Sequence, residues 1–310
     1  MIKRVLFLLV IFFFQLNSLI NATEPNARSV TYNIVIDNKE LMLTTQAYIQ
    51  NGVTMIPFRP FFNQLGFNVE WDSKNNQVIG KNADKTIKLT IGSVNAKVND
   101  NIEVMPIAPT IKNGTTFIPL RFVGTASGGS VELYGGSLNV IWITSAKQNQ
   151  LLDAVLNKNI VEVTGLLKSG ADPTVMVGPV GPAIYSFVDN SVDIVKLFLE
   201  SGMDVNYYSE GLNPVYTLLQ HAASEGHVEV VKFLLLTGAN PLLTAGKTWT
   251  ALELAEYWKV KVENGYLNII DPLNTPSVES YDEIIKLLSV ATNSDVDDSS
   301  NKITITQNDI

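Results

Sequence analysis

Short alternating runs of apolar and polar residues fill positions 27–147, whereas from 148 to 292 apolar residues return at steps of three and four. Alternation predicts strands, because successive strand side chains point to opposite faces. The wider step predicts amphipathic helices. Val30-Tyr32-Ile34-Ile36 and Ile87-Leu89-Ile91 alternate most clearly, and further strands are expected at 54–56, 69–71, 77–79, 116–118, 131–133 and 139–143. Two short helices are expected at Phe58–Leu65 and Leu120–Ser127, each closed by a glycine, Gly66 or Gly128. Longer helices are expected at Ile160–Leu167, Val192–Leu199, Val228–Leu235 and Tyr281–Leu288. The fold class is therefore α+β: a β-rich first half, then an all-α repeat array.

The first half is a duplication. Residues 48–79 align on 110–141 at a constant offset of 62, with twelve identities in thirty-two positions and no gap. Each copy leads an apolar residue into Asn-Gly, namely Asn51-Gly52 and Asn113-Gly114. That dipeptide is the strongest short hairpin signal, since both residues tolerate positive φ. A strand follows and is stopped by Pro57 or Pro119, which cannot sit inside a central strand. Then come Arg59 or Arg121, one short helix, glycine and two more strands. Arg59 and Arg121 are expected to pair with Glu70 and Glu132, tying helix to strand; a ligand role is the alternative.

The pattern Asn-Gly, Thr, apolar, Pro, apolar, Arg, then Gly-x-x-Val-x-Trp resembles the copper amine oxidase-like N-terminal domain. Asn51, Gly52, Thr54, Ile56, Pro57, Arg59, Gly66, Val69 and Trp71 carry it in the first copy; Asn113, Gly114, Thr116, Ile118, Pro119, Arg121, Phe122, Gly128 and Val131 carry it in the second. Leu133 replaces the tryptophan there, so that edge is expected to pack less well. The resemblance covers about residues 30–145. It implies an exported protein of the kind found in Gram-positive spore-forming bacteria, and a stalk-like domain separate from catalysis. Copper chemistry needs a cluster of histidines, and both histidines of this chain lie outside the region, at 221 and 227.

A second repeat occupies 148–292. Gly170-Ala171-Asp172, Gly202-Met203-Asp204 and Gly238-Ala239-Asn240 recur at spacings of 32 and 36, each after an apolar helix. Gly170, Gly202 and Gly238 are expected to take the left-handed conformation that ends a helix. The run Thr217 to His227, with Ala222-Ala223 and Gly226-His227, resembles the ankyrin family, whose units are about 33 residues long. About four units are expected, the first truncated and the last holding an insertion at Lys259–Ser277. The resemblance makes the array an ankyrin solenoid that buries its apolar faces only by stacking. His227 is then a structural Gly-His residue, not a metal ligand.

The N-terminus adds a targeting signal. Lys3 and Arg4 precede the unbroken apolar run Val5–Phe14, and Ala22 offers a small residue for cleavage. Residues 1–22 are read as a secretory signal peptide; an uncleaved anchor is the other reading. The location expected is extracellular or cell-surface, with no integral membrane span after cleavage. The chain has no cysteine, which excludes disulfides and thiolate chemistry. Its net charge is −8, so nucleic acid is not an expected partner. The charge is divided: residues 27–147 hold eleven Lys and Arg against eight acids, and 148–292 hold eight Lys against seventeen acids. Residues 293–310 read as a disordered acidic tail. Lys147-Gln148-Asn149 reads as a short junction.

No phosphate loop, dinucleotide fingerprint, nucleophile elbow or zinc-protease helix is present in the sequence. His221 and His227 stand six apart and do not share a helix face. No catalytic residue, metal or cofactor is therefore expected. What remains is binding by surfaces. Ankyrin arrays bind through hairpin tips and inner helices, and the tips here carry Met176, Tyr207, Tyr208 and Trp249. Aromatic residues are the usual interface anchors; the alternative is that they cover neighbouring tips. The function expected is a non-enzymatic protein-binding module with the stalk-like domain as spacer or envelope anchor. The alternative is a structural envelope protein holding cell-wall polymer through the duplicated domain.

Overall fold

A computed structural model describes residues 32–134, 139–175, 191–208, 216–245, 249–265 and 276–296. The proposed signal peptide, Met176 and most of the acidic tail lie outside them.

The described residues of the first half form thirteen strands in three sheets. Its centre is the order β10-β11-β4-β3, built from β3 (Tyr48–Gln50), β4 (Val53–Pro57), β10 (Thr110–Lys112) and β11 (Thr115–Pro119). Asn51 and Asn113 have φ of 51° and 52°, and both following glycines have φ of 75°. The two Asn-Gly turns are thus the tight hairpins read from the sequence. The strands pair across a local twofold: Met55 faces Pro119, Ile56 faces Ile118 and Phe117 faces Pro57. At an offset of 62 those pairings are their own images, so the axis runs through the Ile56–Ile118 pair. Pro57 and Pro119 are each the last residue of a strand and the N-cap of the helix that follows. Those helices are α1 (Phe58–Gln64) and α2 (Leu120–Ala126).

Two outer sheets complete the domain. The first copy continues into the order β5-β6-β7-β8-β9: β5 (Asn68–Asp72), β6 (Gln77–Lys81), β7 (Thr86–Thr90), β8 (Asn95–Val98) and β9 (Asn101–Val104). The second copy continues into β12 (Ser130–Tyr134) and β13 (Val140–Thr144). β13 takes β1 (Asn33–Ile36) as a parallel neighbour, and β1 pairs in turn with β2 (Lys39–Glu40). Ile34, Ile36, Ile56, Phe61, Phe62, Ile87, Leu89, Ile118, Val123 and Ile143 are buried in one core. Leu133, standing where the first copy has the half-buried Trp71, is half exposed on edge strand β12.

The arginines do not reach the glutamates expected for them. Arg121 Nη1 donates to the Val131 carbonyl at 2.7 Å, one residue before Glu132. Arg59 stands over the Phe58 ring at 4.9 Å. Arg121 still links helix to strand, through a carbonyl, whereas Arg59 stays on a ring of its own helix. A guanidinium on a carbonyl at a sheet edge needs no carboxylate, because the charged donor is itself a strong one.

The second half is helical. α3 (Ala146–Leu156) absorbs the junction Lys147-Gln148-Asn149 into its first turns. Then come α4 (Ile160–Lys168), α5 (Val192–Glu200), α6 (Leu218–Ser224), α7 (Val228–Leu236), α8 (Ala251–Glu263) and α9 (Val278–Val296). The stretch read as an insertion begins as helix, since α8 runs through Lys259 to Glu263. α9 runs on to Val296, past the start expected for the tail. Gly170, Gly202 and Gly238 have φ of 88°, 97° and 92°. The residue after each donates back across the helix end, Ala171 to Leu166, Met203 to Phe198 and Ala239 to Leu234. This closes three helices in one manner. Ala222 and Ala223 are fully buried between neighbouring helices, and the core is continuous from Leu151 to Ala291. Lys232 bridges Glu283 and Lys259 bridges Asp282, both at 2.6 Å, tying α7 and α8 to α9.

Candidate functional site

The inner helices α6 and α8 begin alike. Thr217 and Thr250, 33 residues apart, each cap a helix and share a reciprocal capping box with Gln220 and Glu253. Gln220 is fully buried and its Nε2 donates to the Trp249 carbonyl at 2.6 Å, joining one unit to the next. The residue before each cap is aromatic: Tyr216 and Trp249. The capping geometry therefore places an aromatic side chain at the same point of successive units.

Trp249 is 48% exposed. Its ring lies 4.9 Å from that of Tyr257, which is 38% exposed, and Tyr257 in turn meets Trp258 edge-on at 5.4 Å. Lys261 Nζ stands 5.1 Å from the centre of the Tyr257 ring. Burial pushes the Tyr216 phenol above its usual pKa, and the Glu225 carboxylate and Tyr257 push the same way. Trp249, Tyr257 and Trp258 thus form one ring cluster on α8 and the residue before its cap, with Tyr216 preceding the matching cap of α6. Tyr257, Trp258 and Tyr216 were not singled out in the sequence. The 33-residue match of Tyr216 to Trp249, each just before a capping threonine, is the signal that would have found one of them.

The two tyrosines of the preceding tip have different surroundings. Tyr207 is half-buried against the array core, and its hydroxyl donates to the Thr174 carbonyl at 3.2 Å. It covers the tip before it. Tyr208, one residue on, is 41% exposed and forms an isolated bridge with Thr217. Of the four expected anchors, Tyr208 and Trp249 face outward, Tyr207 is engaged, and Met176 lies outside the described residues. His227 is the N-cap of α7, and its backbone N–H donates to the Ala222 carbonyl at 2.9 Å. Among the described residues no group of three or more His, Asp or Glu is placed to hold a metal ion. Among them, too, no helix is long and apolar enough to cross a membrane.

A different surface lies on the five-stranded sheet. Glu70, Ile79, Lys88, Lys97 and Ile102 pair in turn across all five strands and therefore share the outer face. Lys81 lies on the same face, while Ile102 and Val104 on edge strand β9 are 73% and 70% exposed.

The fold has two parts, and comparison with known families matches each. Residues 35–142 match the copper amine oxidase N-terminal domain, and residues 151–245 and 183–282 match ankyrin repeats. The chain thus carries a copper amine oxidase N-terminal domain followed by ankyrin repeats, neither of which is a catalytic domain. The chain is similar to a putative E3 ubiquitin-protein ligase, XBAT34 of Arabidopsis thaliana, at 34% identity over 129 residues, 41% of this chain and 32% of that protein. It is similar to a probable E3 ubiquitin-protein ligase, XBOS34 of Oryza sativa subsp. japonica, at 37% over 79 residues, 26% of this chain and 14% of that one. A third, the E3 ubiquitin-protein ligase hecd-1 of Caenorhabditis elegans, is 29% identical over 124 residues, 39% of this chain and 4% of its own length. The chain spans a third or less of each of these relatives.

Proposed function

We propose that this protein is an exported, non-enzymatic binding protein: the ankyrin array holds a protein partner, and the duplicated β domain spaces or anchors it at the cell envelope. The observation that carries the reading is the outward-facing aromatic group of the array, Tyr208, Trp249 and Tyr257, in a class of repeat that binds through tips and inner helices. Large aromatic side chains left exposed on a soluble surface are the usual anchors of an interface. Ligase activity belongs to the relatives' names, and this chain covers a third or less of their length.

Two measurements test the reading. Immobilised full-length protein is expected to capture a specific protein from secreted and surface fractions, and Tyr208→Ala with Trp249→Ala is expected to lose it at unchanged melting temperature. Equal capture by parent and variant overturns the partner site. Fractionation of the source cells, with N-terminal sequencing, tests export: a mature chain beginning near residue 23 outside the cytoplasm is expected, and intact chain confined to the cytoplasm overturns it.

The second reading, envelope polymer held by the β domain, is favoured by one observation. Lys88 and Lys97 face each other directly on neighbouring strands, with Lys81 on the same face. Like charges directly opposite are unfavourable, and a bound polyanion relieves them. Sedimentation of the full chain with purified cell wall, lost in Lys88→Glu with Lys97→Glu, is the expected outcome; retention by the doubly reversed variant removes this reading.

A further inference from the structure

We infer that the aromatic surface of the array recognises a cation: the partner presents an arginine-bearing extended segment, whose guanidinium lies against Trp249 and Tyr257 with carboxylates beside it. This rests on the array being a protein-binding surface and names the chemistry of what it binds.

Three independent observations carry it. The first is ring geometry. Trp249 and Tyr257 stand 4.9 Å apart at an interplanar angle of 58°, tilted to each other, and both rings are substantially exposed. Exposed ring faces attract cations through the negative potential above the ring, tryptophan most strongly. The second is that this surface already holds a cation. Lys261 Nζ lies 5.1 Å from the Tyr257 centroid, within the range of such an interaction. The third is charge. Glu253, exposed and four residues before Tyr257, lies on the same face of α8, and the array carries eight Lys against seventeen acids. An acidic partner is repelled by that field, and a wholly apolar one leaves the carboxylates unused. Arginine fits better than lysine because its planar group stacks on a ring while its edge donates to carboxylates.

The probes are synthetic peptides titrated into the full-length protein by calorimetry and tryptophan fluorescence: an alternating Arg-Gly peptide, its citrulline analogue of the same shape without charge, and a Glu-Gly peptide. The Arg-Gly peptide is expected to bind, the citrulline peptide to bind about tenfold more weakly, and the Glu-Gly peptide not to bind. Trp249→Ala with Tyr257→Ala is expected to weaken Arg-Gly binding about tenfold, two exposed cation–ring contacts being worth roughly 1–2 kcal/mol together. Trp249→Phe, which keeps a ring, is expected to retain most of the affinity. Binding of arginine and citrulline peptides alike overturns the inference. So does full Arg-Gly binding by the double alanine variant, which reports general attraction to an acidic array. No Arg-Gly binding at all also overturns it. Where the parent still captures a protein through Tyr208 and Trp249, such a failure leaves the binding-module reading standing; loss of that capture as well removes both.

Discussion

Asp37 shows how single residues set the join between the halves. It occupies the left-handed region with φ of 48°, in the turn between β1 and β2, and its Oδ1 accepts from the Ser145 N–H at 2.8 Å. Burial pushes its carboxyl above the usual range, with the Asp172 charge adding to that and the Ser145 hydrogen bonds and Lys39 opposing it. A raised folded-state pKa means the folded protein holds this proton at a pH where the unfolded chain has released it. Stability from this group is therefore highest at low pH and falls as pH rises from about the ordinary value of 3.8 through the raised one. Asp37→Asn keeps the acceptor oxygen, tolerates positive φ and removes the charge. It is expected to be more stable than the parent at neutral pH, with the difference shrinking as pH falls through that window. Urea titrations of both proteins across the range measure it, and a difference that grows on acidification contradicts the assignment.

At the scale of elements, the capping boxes and the link between them carry the array. Thr250→Ala removes an N-cap whose hydroxyl accepts from the Glu253 N–H, and is expected to cost about 1 kcal/mol. Gln220→Leu is expected to cost more, about 1–3 kcal/mol beyond its own cap, because it also leaves the Trp249 carbonyl without the donor that joins the units. Chemical denaturation of both variants gives the order, and a Gln220 variant no worse than the Thr250 variant shows that the link between units carries no stability. Elements of this kind were largely legible beforehand. The duplication, the Asn-Gly hairpins and the helix-ending glycines follow from spacing alone, because each demands a particular backbone conformation. What stayed hidden is equally physical. The first turns of α3 read as a junction because Lys147, Gln148 and Asn149 are polar, although Gln148 is buried and its Oε1 accepts from the Asp172 N–H. The end of α8 read as an insertion because Lys259 and Lys261 break the apolar stripe, and only the fold shows that Lys259 meets Asp282 on α9. Tyr207 and Tyr208 look equivalent in sequence, and the Thr174 carbonyl separates them.

Across the described molecule there are two cores, one in the β domain and one running from Leu151 through the array. Among the described residues, two side-chain hydrogen bonds join the halves: Ser145 N–H to Asp37 Oδ1, and Asn38 Nδ2 to the Thr174 carbonyl. Net contributions of exposed or half-exposed hydrogen bonds are about 1 kcal/mol each, whereas each core rests on fully buried aliphatic and aromatic side chains. A seam of that kind fixes geometry without making the two cores one cooperative unit, in the way that domain interfaces do generally. Calorimetry is therefore expected to resolve two transitions. Leu234→Ala, at a fully buried array position, is expected to lower one by the equivalent of about 2–5 kcal/mol and leave the other in place. Ile56→Ala, on the twofold of the β domain, is expected to do the reverse. A single transition shifted by either substitution contradicts independent cores and makes the polar seam strong enough to transmit partner binding from the array into the β domain.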